Sequence, residues 1–250
     1  MEVERYLKRI HVNRLEAPSL SFLSRLQDQH MLHVPFENLD VIRQVPIELH
    51  IPSFYDKVVL RRRGGFCYEL NGLFHWLLGK AGYEARLISA TVKQPDGDWA
   101  LEDSHAAIIV CLDGSEYLVD VGFGDSTRRP LRLSGEVSRD VSGDYRVDKC
   151  GKAFYLQRKK DDSEEWQTLY RFLSRGRKLD DFHKACEYNQ TSPSSPFTGK
   201  DIATIASADG RLTISGNTLI QTTRFGRERT GIEEEEKKLL LQNEFGMSSF

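Results

Sequence analysis

The spacing of hydrophobic residues changes near residue 84, and this change constrains the fold more than any other feature of the sequence. Before it, apolar residues recur every three or four positions, as expected for helices with one buried face, at Leu20, Leu23 and Leu26 and at Leu70, Leu73, Phe74 and Leu77. After it, short apolar and β-branched runs predict strands, at 85–92, 105–112, 117–121, 144–148 and 153–157. We therefore expect an α+β fold in which helices precede strands.

The C-terminal part of the chain predicts a third, mixed segment. A stretch from Tyr188 to Phe197 is rich in Ser, Pro, Thr and Asn and predicts a loop at a domain boundary. Turn signals at Asp209-Gly210 and Gly216-Asn217 then predict a small meander. Thr230, with Glu233 three residues later, predicts the capping box of a last helix. The expected domains are a helical unit, a strand unit and a mixed unit, at 1–83, 84–190 and 191–250.

Charge and composition exclude several classes of function. The chain has 250 residues and a net charge of -2, which gives no electrostatic basis for binding nucleic acid. The cluster Arg61-Arg62-Arg63 is interpreted as a solvated helix end. No run of 18 apolar residues exists to span a membrane, and the N-terminus lacks the pattern of a secretory signal. We therefore expect a cytoplasmic protein without a membrane partner.

The cysteines predict neither disulfides nor a metal site. The four thiols are widely scattered, and none forms a CxxC pair or a zinc-like spacing. Cys67 differs from the others because it follows a glycine pair and begins an apolar-periodic run. A thiol in the first turn of a helix faces unpaired N–H groups and the positive end of the helix dipole. Both favour the thiolate, which is the nucleophilic form, so Cys67 is a candidate nucleophile.

A predicted hairpin supplies a base and a partner that orients it. Asp113-Gly114 is a strong signal for a two-residue turn, which would place Leu112 opposite Ser115. In that register His105 and Asp120 are diagonal neighbours on one face, with backbones roughly 7–8 Å apart. A three-residue loop would instead put them on opposite faces. An Asp in a buried ribbon needs a hydrogen bond, and His105 can supply it while acting as a base toward Cys67.

Each of these residues also has a simpler interpretation. A cysteine that begins a helix is usually structural, a histidine at a strand start is often a rim residue, and Asp120 could simply end a strand. The catalytic interpretation depends on the three side chains being brought together. The sequence contains no Walker loop, GxGxxG, HExxH or GxSxG motif that would indicate another chemistry.

Four stretches of the chain resemble the arylamine N-acetyltransferase family. The family's RGGxCxExN signature is matched by Arg63-Gly64-Gly65-Phe66-Cys67-Tyr68-Glu69-Leu70-Asn71, and its PFENL segment by Pro35-Phe36-Glu37-Asn38-Leu39. His105 and the run Asp120-Val121-Gly122-Phe123-Gly124 resemble its base and its D-V-G-F-G strand end. The stretch from Asn189 to Phe197 is a looser match.

The resemblance implies a papain-like or transglutaminase-like Cys-His-Asp core, with Cys67 as nucleophile, His105 as base and then acid, and Asp120 as orienter. It implies a helical bundle, a central β-barrel and a C-terminal α/β lid. It also implies ping-pong transfer from acetyl-CoA, a cosubstrate rather than a permanently bound cofactor, to a small aromatic amine, hydrazine or hydroxylamine. By the same resemblance Phe36, Phe66 and Phe123 line the acceptor pocket, and Ser104, Gly124 and Phe197 lie near CoA.

Other activities remain open at the level of the sequence. The same three residues would suit an amide synthase that uses a bulkier acyl donor. They would also suit a cysteine hydrolase or a transglutaminase-like enzyme, which would need an open peptide groove. A non-enzymatic protein could keep the three side chains for packing alone.

Overall fold

The computed structural model describes residues 1–160 and 163–248. Within them, the helices are α1 Val3–Arg9, α2 Leu20–His33, α3 Leu39–Ile42, α4 Ile51–Tyr55, α5 Cys67–Lys80, α6 His183–Thr191 and α7 Glu234–Asn243. A π-helical turn, Asp56–Leu60, extends α4, and a 3-10 turn, Leu179–Phe182, precedes α6. The first third of the chain is therefore helical, as the spacing of its apolar residues predicts.

Most of the strands belong to one curved sheet. Its eight strands are β2 Glu84–Val92, β3 His105–Leu112, β4 Ser115–Val119, β5 Leu131–Arg132, β6 Ser138–Asp140, β7 Gly143–Cys150, β8 Ala153–Lys159 and β9 Gln167–Arg177. They lie in the order β5-β4-β3-β2-β9-β8-β7-β6, and β5 approaches β7 at the far end. The sheet thus forms a nearly closed barrel, which confirms the expected α+β architecture.

A second sheet combines the C-terminal strands with one early segment. Its strands are β1 Phe36–Glu37, β10 Ile202–Ser207, β11 Gly210–Ser215, β12 Thr218–Thr223 and β13 Gly226–Gly231. Helix α7 packs on this sheet through an apolar cluster that includes Ile214, Leu241 and Phe245. Because β1 pairs with β10, the C-terminal unit is joined to the helical part through the sheet itself. The domain limits at 83 and 190 remain predictions.

Strand β3 connects the two main apolar cores and places helix α5 against the barrel. The buried stripe of α5, with Leu70, Leu73, Phe74 and Leu77, belongs to the cluster that fills the helical part. The same cluster includes Ala106, Ile108 and Val110 from one face of β3. The other face of β3, with Ala107 and Ile109, lies in the interior of the barrel. Strand β3 is therefore buried on both faces and sets α5 against the barrel.

Two boundaries in the last third differ from the sequence-based expectation. The predicted loop from residue 188 is wrong for its first four residues, because α6 continues to Thr191. The predicted capping box at Thr230 is also wrong: Thr230 lies in β13, paired with Leu219. The helix cap is Glu233, which has extended backbone and no side-chain capping bond. Pairing across the sheet thus outweighs a local capping preference.

In residues 1–160 and 163–248, no helix is both long enough and apolar enough to cross a bilayer.

Candidate active site

Cys67 is the first residue of α5 and is 5% exposed. The residue before it, Phe66, is the N-cap and makes no side-chain capping bond, since its side chain has no acceptor. Glu69 accepts a hydrogen bond from the N–H of Phe66 at 2.8 Å and so fixes the entry of the chain into the helix. The thiol therefore sits at an uncapped helix N-terminus that points into the protein.

Buried ion pairs hold the segment that leads into this helix. The Lys57 ammonium lies 3.0 Å from Glu69 and 2.7 Å from Asp40. The Arg63 guanidinium lies 2.7 Å from Glu37 and 2.9 Å from Asp40. Arg63 is 5% exposed, so the interpretation of the arginine cluster as a solvated helix end is wrong for this residue. Its charge is needed inside, because Glu37, Asp40 and Glu69 would otherwise share the single charge of Lys57.

The hairpin of β3 and β4 has the predicted register. Leu112 pairs with Ser115, and Ile108 pairs with Val119. At the open end of the hairpin, the Nε2 atom of His105 lies 2.8 Å from the Oδ2 atom of Asp120. The two-residue turn at Asp113-Gly114 is therefore confirmed, and with it the contact between histidine and aspartate.

Asp120 is buried but receives five hydrogen bonds. Oδ2 accepts from His105 and from the Tyr170 hydroxyl at 2.9 Å. Oδ1 accepts from the Asn71 amide at 2.9 Å and from the N–H groups of Gly122 at 2.9 Å and Phe123 at 3.1 Å. Burial would raise the pKa of Asp120, but His105, Asn71 and Gly122 outweigh it and the pKa is lowered. The carboxylate is therefore held in its charged form.

His105 joins the carboxylate to the thiol. Its Nε2 atom is hydrogen-bonded to Asp120, and its ring interacts electrostatically with Cys67. Burial alone would lower the pKa of His105, but Asp120 and then Cys67 raise it to about 10. The imidazole thus lies between the carboxylate and the thiol, and its ring carries a proton at neutral pH.

The turn after Asp120 approaches the start of α5 closely. A methyl group built on Gly122 would lie 2.6 Å from the Asn71 amide nitrogen and 2.8 Å from Cα of Cys67. Both distances are shorter than any real contact, so only glycine fits here. This close approach brings Asp120 within reach of Asn71 and keeps the hairpin against Cys67.

Two of the three side chains lie at a pocket of about 960 Å³, and Asp120 is buried behind His105. Cys67 and His105 line it together with five of the residues expected to contact substrates, namely Phe36, Ser104, Phe123, Gly124 and Phe197. The Phe123 ring meets the His105 ring edge to face, with centroids 5.3 Å apart. Phe66 differs from the others: it is 1% exposed and packs behind Phe197, with ring centroids 4.8 Å apart. Its contact with an acceptor remains a prediction.

Comparison with known proteins identifies the family. Residues 19–249 match the family model described as N-acetyltransferase. The arylamine N-acetyltransferase of Mycobacterium tuberculosis is 36% identical over 237 residues, covering 92% of this chain and 83% of the relative. The chain belongs to the arylamine N-acetyltransferase family. It is therefore an acyltransferase.

Solved structures of other arylamine N-acetyltransferases have the same fold. The M. tuberculosis enzyme superposes with a TM-score of 0.90 at 34% identity, covering 99% of this chain and 93% of that one. The Mycobacterium marinum enzyme in complex with CoA gives the same TM-score, identity and coverage. The helical unit, barrel and C-terminal sheet of this family member are thus those of its relatives.

Two partners of Asp120 in this acyltransferase were not anticipated from the sequence. Asn71 donates to Asp120 and accepts from the N–H of Val121 at 3.0 Å, so it joins α5 to the hairpin end. It occupies the last position of the RGGxCxExN match, and that position is its only sequence signal. Tyr170 comes from β9, which the sequence pattern does not predict. Its alternation with Phe172, both buried, is the signal that could have revealed the strand.

Proposed function

We propose that this enzyme transfers an acetyl group from acetyl-CoA to arylamines, arylhydrazines or arylhydroxylamines through a thioester on Cys67. The observation that carries the proposal is the placement of Cys67 and His105 together at the wall of a large pocket, with His105 hydrogen-bonded to the buried Asp120. Arylamines are supported as acceptors by the family membership and by the name of its relative, arylamine N-acetyltransferase. The CoA complex of the M. marinum relative supports the donor.

In the first half-reaction the Cys67 thiolate attacks the carbonyl carbon of acetyl-CoA, and a sulfur–carbon bond forms. The carbon–sulfur bond to CoA then breaks, and the protonated His105 ring gives its proton to the departing CoA sulfur. The product is acetylated Cys67 and free CoA. The N–H of Cys67, at the uncapped end of α5, is the candidate donor to the oxygen that becomes negative in between.

In the second half-reaction the unprotonated amine attacks the thioester carbon. His105, now neutral, takes a proton from the attacking nitrogen, and the Cys67 sulfur leaves as a thiolate. The result is the acetylated amine and the starting state of the enzyme. A thioester is reactive enough to acylate a weakly basic aniline, whose amine is unprotonated at neutral pH. Water must be excluded from the pocket until the amine binds, because it would otherwise hydrolyse the thioester.

The pocket walls suggest where each substrate binds. Phe36 and Phe123 offer apolar ring surface near His105, which suits an aromatic acceptor and helps to exclude water. Ser104, Gly124 and Phe197 line the same pocket and are proposed contacts for CoA. Gly124 has a backbone φ of +86° and lies against Thr204 of β10, so a side chain there would be strained and would narrow the pocket.

A donor-only incubation tests the proposal. With acetyl-CoA and no acceptor, mass spectrometry should find one acetyl group, located on the peptide that contains Cys67. Adding aniline should remove it and produce acetanilide. Cys67→Ser should lose the thioester and nearly all turnover. The matched control is Cys150→Ala, which removes an exposed thiol far from the chemistry and should leave acetylation at the wild-type level.

The same assay separates the competing activities. Turnover of bulky acyl thioesters but not of acetyl-CoA would favour an amide synthase. Cys67-dependent cleavage of peptides would favour a hydrolase or a transglutaminase-like enzyme. Normal aniline acetylation by Cys67→Ser would eliminate the thioester mechanism.

A further inference from the structure

The pocket is strongly positive although the chain carries a net charge of -2. Besides His105, the described residues that line it include six lysines and arginines: Lys93, Arg158, Lys160, Arg211, Arg224 and Arg227. Asp125 is the one carboxylate in the same described lining. An uncharged aromatic amine does not require this charge. This excess of positive charge favours an anionic group on the other substrate, the acyl donor.

Two buried arginines share that single carboxylate. The Arg158 guanidinium lies 2.9 Å from Asp125, and the Arg211 guanidinium lies 3.4 Å from the other carboxylate oxygen. Arg211 also donates to the Thr204 hydroxyl at 3.1 Å. Arg158 is 9% exposed and its Nε–H is buried with no hydrogen-bond partner in the described structure. The single negative charge of Asp125 therefore faces two guanidinium groups, and the Nε–H of Arg158 remains without an acceptor.

The lowered pKa of Arg211 agrees with an excess of positive charge around it. Burial and the neighbouring cations Arg158 and Arg128 lower the pKa of Arg211, and Asp125 only partly offsets them. A buried cation that is incompletely paired is costly, so a bound anion would lower the free energy of the site. The Asp125 side chain keeps 54% of its surface accessible, which leaves the cluster open to the pocket.

The cluster continues directly from the catalytic residues. Asp125 follows Gly124 and lies two residues after Phe123, whose ring contacts His105. At the rim, the tip of the β12–β13 hairpin carries Phe225, which is 85% exposed. The Arg224 guanidinium lies 4.6 Å from the centre of that ring. An elongated ligand with its reactive end at Cys67 would therefore pass the two buried arginines and leave beside an exposed aromatic–arginine pair.

We propose that Arg158 and Arg211 form a phosphate subsite that holds the phosphate groups of the CoA donor. Two guanidinium forks beside one carboxylate match the geometry and charge of a phosphate better than lysines would. The proposal rests on the proposed function in that it takes acetyl-CoA as the donor. It places donor recognition on β8 and β11, away from the residues that carry out the acetyl transfer.

Two acetyl donors test this subsite. Acetyl-CoA and acetylpantetheine share the pantetheine arm, but only acetyl-CoA carries phosphate groups. The ratio of kcat/KM for acetyl-CoA to that for acetylpantetheine, which has no phosphate, is measured with aniline as the uncharged acceptor. Arg158→Gln and Arg211→Gln should each lower this ratio at least tenfold, since charge-assisted hydrogen bonds to phosphate are lost. Arg14→Gln, which alters an arginine 82% exposed outside the pocket, should leave the ratio unchanged. A fall of less than tenfold in the ratio for either pocket variant, including equal loss with both donors, overturns the proposal.

A measurement on the wild-type enzyme covers the case in which a variant does not fold. Millimolar inorganic pyrophosphate should raise the apparent KM for acetyl-CoA and leave that for acetylpantetheine unchanged. No effect, or the same effect on both donors, overturns the subsite. Failure of the proposed function gives a different result, because aniline would then be acetylated from neither donor.

Discussion

Asp120 shows how the neighbours of one residue decide its chemical role. Its two oxygens accept five hydrogen bonds, two of them from backbone N–H groups. A carboxylate with this many donors is stabilised in its charged form and is a poor proton acceptor. In the proposed mechanism Asp120 therefore orients His105 and balances its charge, while the proton moves to and from the imidazole.

Replacing Asp120 by Asn should remove the negative charge that holds the proton on His105. The amide oxygen can keep the three donors of Oδ1, but the NH₂ group would then face the His105 and Tyr170 donors. Without the charge of Asp120, the burial of the His105 ring should dominate. The pKa of His105 should then fall from about 10 to below its usual 6.5. Turnover should drop on the order of 10³–10⁴-fold, as in other triads that lose their carboxylate.

An NMR titration of the His105 ring nitrogens measures the pKa, and acetanilide formation measures turnover. Asp113→Asn is the control, because it makes the same chemical change at the exposed turn of the same hairpin. A ring that still titrates near pH 10 in Asp120→Asn would contradict the assigned role.

The sequence could predict the pairing of His105 with Asp120 because a two-residue turn fixes every opposed pair in a hairpin. Tyr170 could not be placed in the same way. It reaches Asp120 from β9, which is paired with β2 and separated in sequence from Asp120 by the strands β5 to β8. No local rule specifies such a pairing, since it depends on closure of the whole sheet.

At the scale of elements, the contact between α5 and the turn after β4 is set by one glycine. Gly122→Ala would put a methyl group 2.8 Å from the backbone of Cys67, where a helix end cannot move aside cheaply. We expect a destabilisation of about 1–3 kcal/mol from overpacking and a loss of turnover larger than the loss of stability explains. Urea unfolding and steady-state kinetics measure the two effects.

Gly97→Ala is the matched control for this change. Gly97 has nothing within 4 Å of a built methyl group, although its φ of +94° adds backbone strain. It should cost stability without changing turnover of the folded enzyme. Normal turnover in Gly122→Ala would show that the hairpin does not need its close contact with α5.

Helix α2 contains a pH-sensitive element of stability. His30 is fully buried, its Nδ1 atom lies 3.0 Å from the Tyr6 hydroxyl, and its Nε2 atom has no partner in the described structure. Burial, helped by Arg9 and His33, lowers the pKa of His30 from 6.5 to about 3. The unfolded chain therefore binds a proton below pH 6.5 that the folded chain does not, and stability falls as the pH drops from 6.5 toward 3.

Between pH 7 and pH 5 this histidine should cost about 2 kcal/mol of unfolding free energy. The double variant Tyr6→Phe/His30→Leu removes both polar partners and should reduce the loss of stability on acidification by that amount. Tyr6→Phe alone keeps the histidine and should retain the full loss. Urea unfolding at the two pH values gives both numbers, and parallel pH profiles for the two variants would rule out His30 as the source.

The boundaries of elements were harder to predict than their existence. Ser19 caps α2 as its sequence suggests, with the N–H of Phe22 donating to its hydroxyl at 3.2 Å. Thr230 has an equally good local signal but is paired in β13, so the N-cap of α7 is Glu233, three residues after the predicted cap. The difference is tertiary: α2 has no competing strand partner, whereas β12 offers Thr230 a full ladder of backbone hydrogen bonds.

At the scale of the whole molecule, the PFENL segment connects the C-terminal sheet to the active-site region. Phe36 and Glu37 pair with β10 on one side, and Phe36 forms a parallel bridge with Gly65 on the other. Gly65 lies two residues before Cys67. The position of the C-terminal sheet, and with it the pocket wall that carries Arg211, is thus fixed through the same short strand that supports Cys67.

Asn38 is the main polar link in this connection. Its amide donates to the carbonyls of Phe197 at 2.7 Å and Lys200 at 2.8 Å, and it accepts from the N–H of Ile202 at 2.6 Å. Asn38→Ala would leave three backbone groups without partners, at a cost of about 2–5 kcal/mol in total. Because β10 starts at Ile202, the loss should appear first as opening of that strand.

Hydrogen exchange of the β10 amides measures this opening directly. Asn38→Ala should speed exchange across Ile202–Ser207 at least tenfold and raise KM for acetyl-CoA, whose pocket that strand borders. Exchange in α5 should change less, because the helix is held by its own apolar core. Asn13→Ala, at an exposed position, is the matched control. Wild-type exchange in β10 of the Asn38 variant would mean that apolar packing under α7 alone holds the C-terminal sheet in place.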